Sequence, residues 1–156
     1  MGGFLLCKRK EEIQMASLTA FLAQNAIKIQ NEKYVVSKRF VDSNKKPIEW
    51  EIKAITSAED DLIRKSCMKR VQMAGKKGQT TVEIDMALYL GKLAVACVVF
   101  PNLNDAELQN SYGVMGGDNL IKTMLTAGEY NDLLMKIQEI NGFDVSMEDL
   151  VDEGKN

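Results

Sequence analysis

At 156 residues, with 46% hydrophobic and 27% charged side chains, the chain has the length and balance of one compact domain with its own core. It contains no histidine, which removes the usual general base, the Cys–His pair and most transition-metal sites. The net charge of −2 conceals a polarity: sixteen Lys and Arg stand against nine Asp and Glu up to Thr80, and four against thirteen beyond it. Such a distribution suits self-association or an oppositely charged protein partner, and equally two solvated faces of one domain.

From the N-terminus, "MGGFLL" precedes the basic "CKRK", the reverse of the order in a secretory signal. Lys10-Glu11-Glu12 followed by Met15 has the codon pattern of a purine-rich ribosome-binding site, so translation is expected to start at Met15, with residues 1–14 as an upstream or disordered leader. Cys7, Cys67 and Cys97 are odd in number and lack metal or disulfide spacing, which fits a reducing cytoplasm. The longest apolar run, Leu93 to Phe100, is far below the roughly 20 residues of a membrane span.

Residues 17–26 place Leu18, Phe21, Leu22 and Asn25 on one side of a short helix capped by Ser17. "KYVVSKRFVD" and "PIEWEIKAI" flank "SNKK" and read as a two-stranded antiparallel hairpin, with Ile48, Trp50 and Ile52 on the inner face. The stretch from Thr56 to Gly75 predicts one long helix, started by Ser57 and Asp60 and buried through Ile63, Cys67, Val71 and Ala74. "GKKGQTT" lacks the Walker spacing and follows a helical pattern, so it reads as a flexible linker rather than a phosphate loop.

A core helix is expected from about Asp85 to Phe100, apolar on most sides through Leu88, Leu90, Leu93, Val95, Cys97 and Val98. Pro101 stops it, Asn104 or Asp105 caps a short helix, Gly113 ends that, and Gly116-Gly117-Asp118 starts another. Thr126 and Glu129 then have capping-box spacing for a last helix that stops at Asn141-Gly142. "GVMGGD" could cradle an anion only weakly, having no basic residue. The reading is α+β: a mostly α-helical single domain over residues 15–144 with an N-terminal two-stranded antiparallel hairpin, followed by an acidic mobile tail at 145–156.

No carboxylate pair has a catalytic setting, and no cofactor or metal is expected. The clusters "SKR", "NKK" and "MKR" could meet nucleic acid, but the chain is acidic overall, with a pI of about 5.3, so no nucleic-acid partner is expected. Nine methionines suit adaptable apolar binding surfaces as well as core filling.

Taken in order, "ITSAEDDLIRKSCMKR", "VVFPNLNDAELQNSYGV" and "MLTAGEYNDLLMKIQEINGF" resemble the XkdN-like phage tail assembly chaperones of contractile-tailed phages and defective prophages. The resemblance runs from about Ser17 to Asp144, and the tail beyond carries no recognisable family mark. It implies a non-enzymatic assembly factor in the bacterial host cytoplasm. Such a factor binds the tape-measure protein, keeps it soluble, helps recruit tail tube protein and is absent from the mature particle. The rival reading is a small structural tail component retained in the particle. Related chaperones are often made in two lengths by ribosomal frameshifting, and "EGKN" is compatible with a slippery codon run. No family motif assigns side chains to a partner; Trp50, Tyr112 and Tyr130 are the aromatic candidates for the interface, each with core packing as the competing role.

Overall fold

The computed structural model describes residues 17–143; the expected leader at 1–14 and acidic tail at 145–156 lie outside that range. The described residues fall into two units that meet between Gln30 and Asn31. In the first, helix α1 spans 17–21. A turn follows, in which the Asn25 side-chain amide donates to the Thr19 carbonyl at 2.9 Å. The apolar face expected here is exposed: Leu18, Phe21 and Leu22, with Ile27 and Ile29 beyond them.

The second unit is mixed α+β. Strands β1 (Glu32–Tyr34) and β2 (Trp50–Ile52) pair antiparallel, with Tyr34 opposite Trp50, which realises the expected hairpin. Its connection is looser than the run of β-formers implied. Only an isolated bridge joins Val41 to Pro47, and Asp42 closes the turn by accepting from the Asn44 and Lys46 amides. As expected, Trp50 and Ile52 point inward, at 2% and 0% exposure, with Glu51 between them.

Helix α2 (Ser57–Ser66) is capped one residue earlier than expected. Thr56 and Glu59 form the capping box, because Glu59, not Asp60, occupies the third helical position and reaches back to the cap amide. The helix also ends nine residues early, at Ser66. Met68–Gln72 is strand β3, and Thr80–Ile84 is strand β4 paired antiparallel with it from Met68 opposite Ile84 to Gln72 opposite Thr80. The expected linker is therefore a hairpin turn, in which Gly75 and Gly78 both take φ of +78°, a conformation costly for any residue with a Cβ.

Helix α3 (Met86–Cys97), capped by Asp85, is central as expected: Tyr89, Leu93, Ala94 and Cys97 are buried, and α2, α5 and α6 all pack on it. It stops before the expected Phe100. Val98–Phe100 leaves the helix as strand β5 and adds to β2, giving the sheet order β1-β2-β5; three β-favouring residues ahead of a proline gain ladder bonds that a helix end could not supply. Helices α4 (Ala106–Ser111), α5 (Gly117–Met124) and α6 (Ala127–Ile140) follow as the turn and cap residues predict. Their caps are Asp105, Gly116 and the Thr126–Glu129 box, and Gly142 at φ +75° ends the last. Leu120, Ile121, Leu133 and Ile137 complete one core with Trp50, Ile52 and Leu93, all at most 2% exposed.

Two polar clusters pin the elements. Arg64 on α2 pairs with Asp60 at 2.8 Å and lies over the Tyr89 ring of α3, whose hydroxyl donates to Asp60. Burial, with the Asp60 hydrogen bond second, pushes the Tyr89 pKa up to about 12. At the other end, Arg39 donates to the Met124 carbonyl at 2.8 Å and to Glu129 at 2.6 Å, joining the hairpin region to α5 and α6. The Arg39 hydrogen bond is the main reason the Glu129 carboxyl falls to a pKa of about 2.

Candidate partner-binding site

An open cleft of about 180 Å³ lies where the three-stranded sheet meets α4 and α5, walled by Phe40, Ile48, Trp50, Phe100, Pro101, Leu108 and Met124. Sheet geometry builds it. Trp50 enters from β2 with its ring tilted against Phe40 at a centroid distance of 6.4 Å, and Phe100 comes from β5, opposite Glu51 of the same ladder. The cis Phe100–Pro101 bond then leads the chain away toward α4. Phe100 is 51% exposed, so the cleft opens directly to solvent on an aromatic side chain.

No charged side chain lines the cleft, which suits apolar partner surface and offers nothing to hold a metal or activate a nucleophile. Among the described residues there is also no group of three or more Cys, Asp or Glu able to hold a metal ion. At the hairpin side stands Arg39, with its guanidinium carbon 5.2 Å from the centre of the Phe40 ring. Its ion pair with Glu129, at 2.6 Å, holds it there.

The three aromatic candidates separate. Trp50 forms the cleft's inner wall and is at the same time core. Tyr112 caps the C-terminus of α4, is 37% exposed, and lies within electrostatic range of Arg39, whose pKa is raised chiefly by its hydrogen bond to Glu129. Tyr130 is half-buried on α6 against the core, with a hydroxyl that has no hydrogen-bond partner among the described residues, and burial and then Asp118 raise its pKa. The structure brings Trp50 to the cleft and leaves Tyr130 outside it. Phe100, Pro101, Leu108 and Met124 were not among the sequence candidates. The signal available for Phe100 was its place at the end of an apolar run, directly before proline, where a helix has to stop.

At the possible anion cradle, α5 starts at Gly117 with Asp118 in its first turn, a like charge for any anion. The space above Gly117 is taken by Val95. Gly117 serves close helix packing, and Gly116 supplies the positive φ, +89°, of the cap.

The sequence pattern of the phage XkdN-like tail assembly chaperone proteins matches residues 18–155. The chain belongs to that family. The match runs through the acidic end, which the sequence motifs had left without a family mark. Over 149 residues the chain is 32% identical to the uncharacterized protein YqbN of Bacillus subtilis, covering 94% of this chain and 98% of YqbN. It is 30% identical over 141 residues to XkdN of the phage-like element PBSX of the same organism, covering 89% of this chain and 93% of XkdN. The crystal structure of YqbN has the same fold, with a TM-score of 0.67 and 28% identity over 80% of this chain and 95% of that one. Among the described residues, no helix is long and apolar enough to cross a membrane.

Proposed function

We propose that this tail assembly chaperone binds the tape-measure protein through the apolar cleft beside Trp50 and keeps it soluble before assembly. On this reading it helps recruit tail tube protein, acts in the bacterial host cytoplasm without catalysing a reaction, and is absent from the mature particle. The observation that carries the reading is the cleft itself: seven apolar residues around an opening, with Phe100 half exposed at its edge. Long apolar helical proteins aggregate while unassembled, and an amphipathic helix laid in an apolar groove is a common way of covering such surface. The exposed Tyr112 extends the surface on the Arg39 side.

Co-expression with the tape-measure protein of the same gene cluster, followed by pull-down and a solubility assay, tests the proposal. Expected are soluble, co-purified tape measure with the native chain and its loss with Phe100→Ser, which keeps the fold because half of that side chain is already in water. Tape measure that stays insoluble and unbound with the native chain, and with any longer frameshifted product read through "EGKN", refutes it. Recovery of the chain from purified particles by mass spectrometry would favour the structural component instead.

A further inference from the structure

The ribbon of β3 and β4 belongs to no part of this site. Almost all of it is in water: of its ten strand residues only Val71 and Ile84 are even half-buried, and the turn at 73–79 is exposed throughout. It springs from the start of α3, where the Asp85 amide donates to the Cys67 carbonyl. Among the described residues, nothing pairs with either outer edge of this two-stranded sheet. A two-stranded ribbon alone is marginal in water, and open edges invite pairing.

Its surface is chemically mixed. Lys69, Arg70, Lys76 and Lys77 stand against the single acidic Glu83, and among the described residues none of the four takes part in an ion pair. Between them Met68, Met73 and Val82 are 51%, 39% and 52% exposed. What fits such a ribbon is a segment that interleaves carboxylates with apolar side chains. Residues 144–156 of this chain have that composition: Asp144, Glu148, Asp149, Asp152 and Glu153 alternate with Val145, Met147, Leu150 and Val151, and Lys155 is their only cation.

Reach decides whether one copy can make the contact. The end of α6 is fixed at the end of α3, where the Asn141 side chain bonds Cys97 at 3.5 Å. The ribbon springs from the opposite end of α3, whose 12 residues span about 18 Å. Its five-residue strands add about 17 Å. The 13 residues from 144 to 156 extend up to about 43 Å. Between those two ends of α3 stands Lys92, which donates to Ser66 at the end of α2, beside Lys65. We propose that the acidic C-terminal segment 144–156 docks on the basic β3–β4 ribbon of the same molecule, by charge pairing and burial of the exposed Met and Val side chains.

Carbodiimide coupling of the full chain tests this, because it joins only carboxylates and amines already in contact. Expected are links from residues 144–153 concentrated on Lys69, Lys76 and Lys77, falling several-fold in about 0.5 M NaCl, where charges are screened within a few ångströms. Links scattered over Lys38, Lys45, Lys46 and Lys122 overturn it. So do links between isotopically light and heavy copies in a mixed sample, which would make a second molecule the occupant. A full-length variant with D144N, E148Q, D149N, D152N and E153Q provides the second measurement: hydrogen exchange at 68–72 and 80–84 speeds up about tenfold if the segment covers the ribbon. Exchange unchanged by these substitutions refutes the docking, and exchange then slowed by a duplex DNA fragment would assign the ribbon to nucleic acid.

Discussion

Two helix-start glycines give a sharp test of how α3 and α5 pack. A Cβ added to Gly117 would sit 2.9 Å and 3.2 Å from the two Val95 methyls and 3.3 Å from the Asn104 side-chain oxygen. Real contacts at 2.9 Å do not occur, so either Val95 leaves its rotamer or the helices move apart. Overpacking of this kind costs about 1–3 kcal/mol. Against it stands the lower backbone entropy of the unfolded chain with alanine, worth about 0.4–1 kcal/mol. The clash wins, and Gly117→Ala should destabilise by about 1–2 kcal/mol. Gly128, near the start of α6, is the control. A Cβ there meets nothing within 4 Å, only the entropy gain remains, and Gly128→Ala should stabilise by about 0.5 kcal/mol. Thermal and urea unfolding of the full chain read both, with each kcal/mol moving Tm by about 3–4 °C. Shifts of the same sign would refute the packing of α5 on Val95.

Tyr89→Phe should lower stability by about 1–2 kcal/mol, since it strips a donor from Asp60 while preserving the ring; a urea midpoint equal to the native one would count against that cluster. The Glu129 carboxyl, held at about 2 against an ordinary 4.5 chiefly by Arg39, binds a proton more readily in the unfolded chain, so its stabilisation is complete above about pH 4.5 and is lost as pH falls toward 2. Urea midpoints measured between those values should therefore fall less steeply for Arg39→Met than for the native chain. Gly75→Ala and Gly78→Ala force a side chain into φ of +78° and should speed hydrogen exchange in 68–84 while leaving that of α3, α5 and α6 unchanged; equal acceleration everywhere would mean that the ribbon is integral to the core.

What could be read from sequence was set by the range of the interactions involved. Helix starts at Asp85, Asp105 and Thr126 were legible because a cap side-chain oxygen and the amide that donates to it lie three residues apart. The ribbon was not. Ile63, Cys67 and Val71 continue a helical spacing across Ser66, and Cys67 is buried as that spacing predicts, but Met68, Arg70 and Gln72 pair with Ile84, Val82 and Thr80. Nothing local to either run shows that ladder. The end of α3 failed for a related reason: Val98, Val99 and Phe100 suit a buried helix and a strand alike, and only the open edge of β2 decides between them.

That last decision also makes the cleft. Had α3 run on to Phe100, the aromatic ring would have remained on a helix face and β2 would have kept an open edge. As a third strand, Val98–Phe100 covers that edge and turns Phe100 and Pro101 outward beside Trp50. The cleft is therefore a product of sheet pairing between segments almost 50 positions apart, which is why an aromatic tally found Trp50 and missed Phe100. A substitution that favours helix over strand here, such as Val99→Ala, should release Phe100 from the ladder and weaken the proposed tape-measure binding more than it lowers Tm. A fall in Tm with binding intact would separate the cleft from the pairing that builds it.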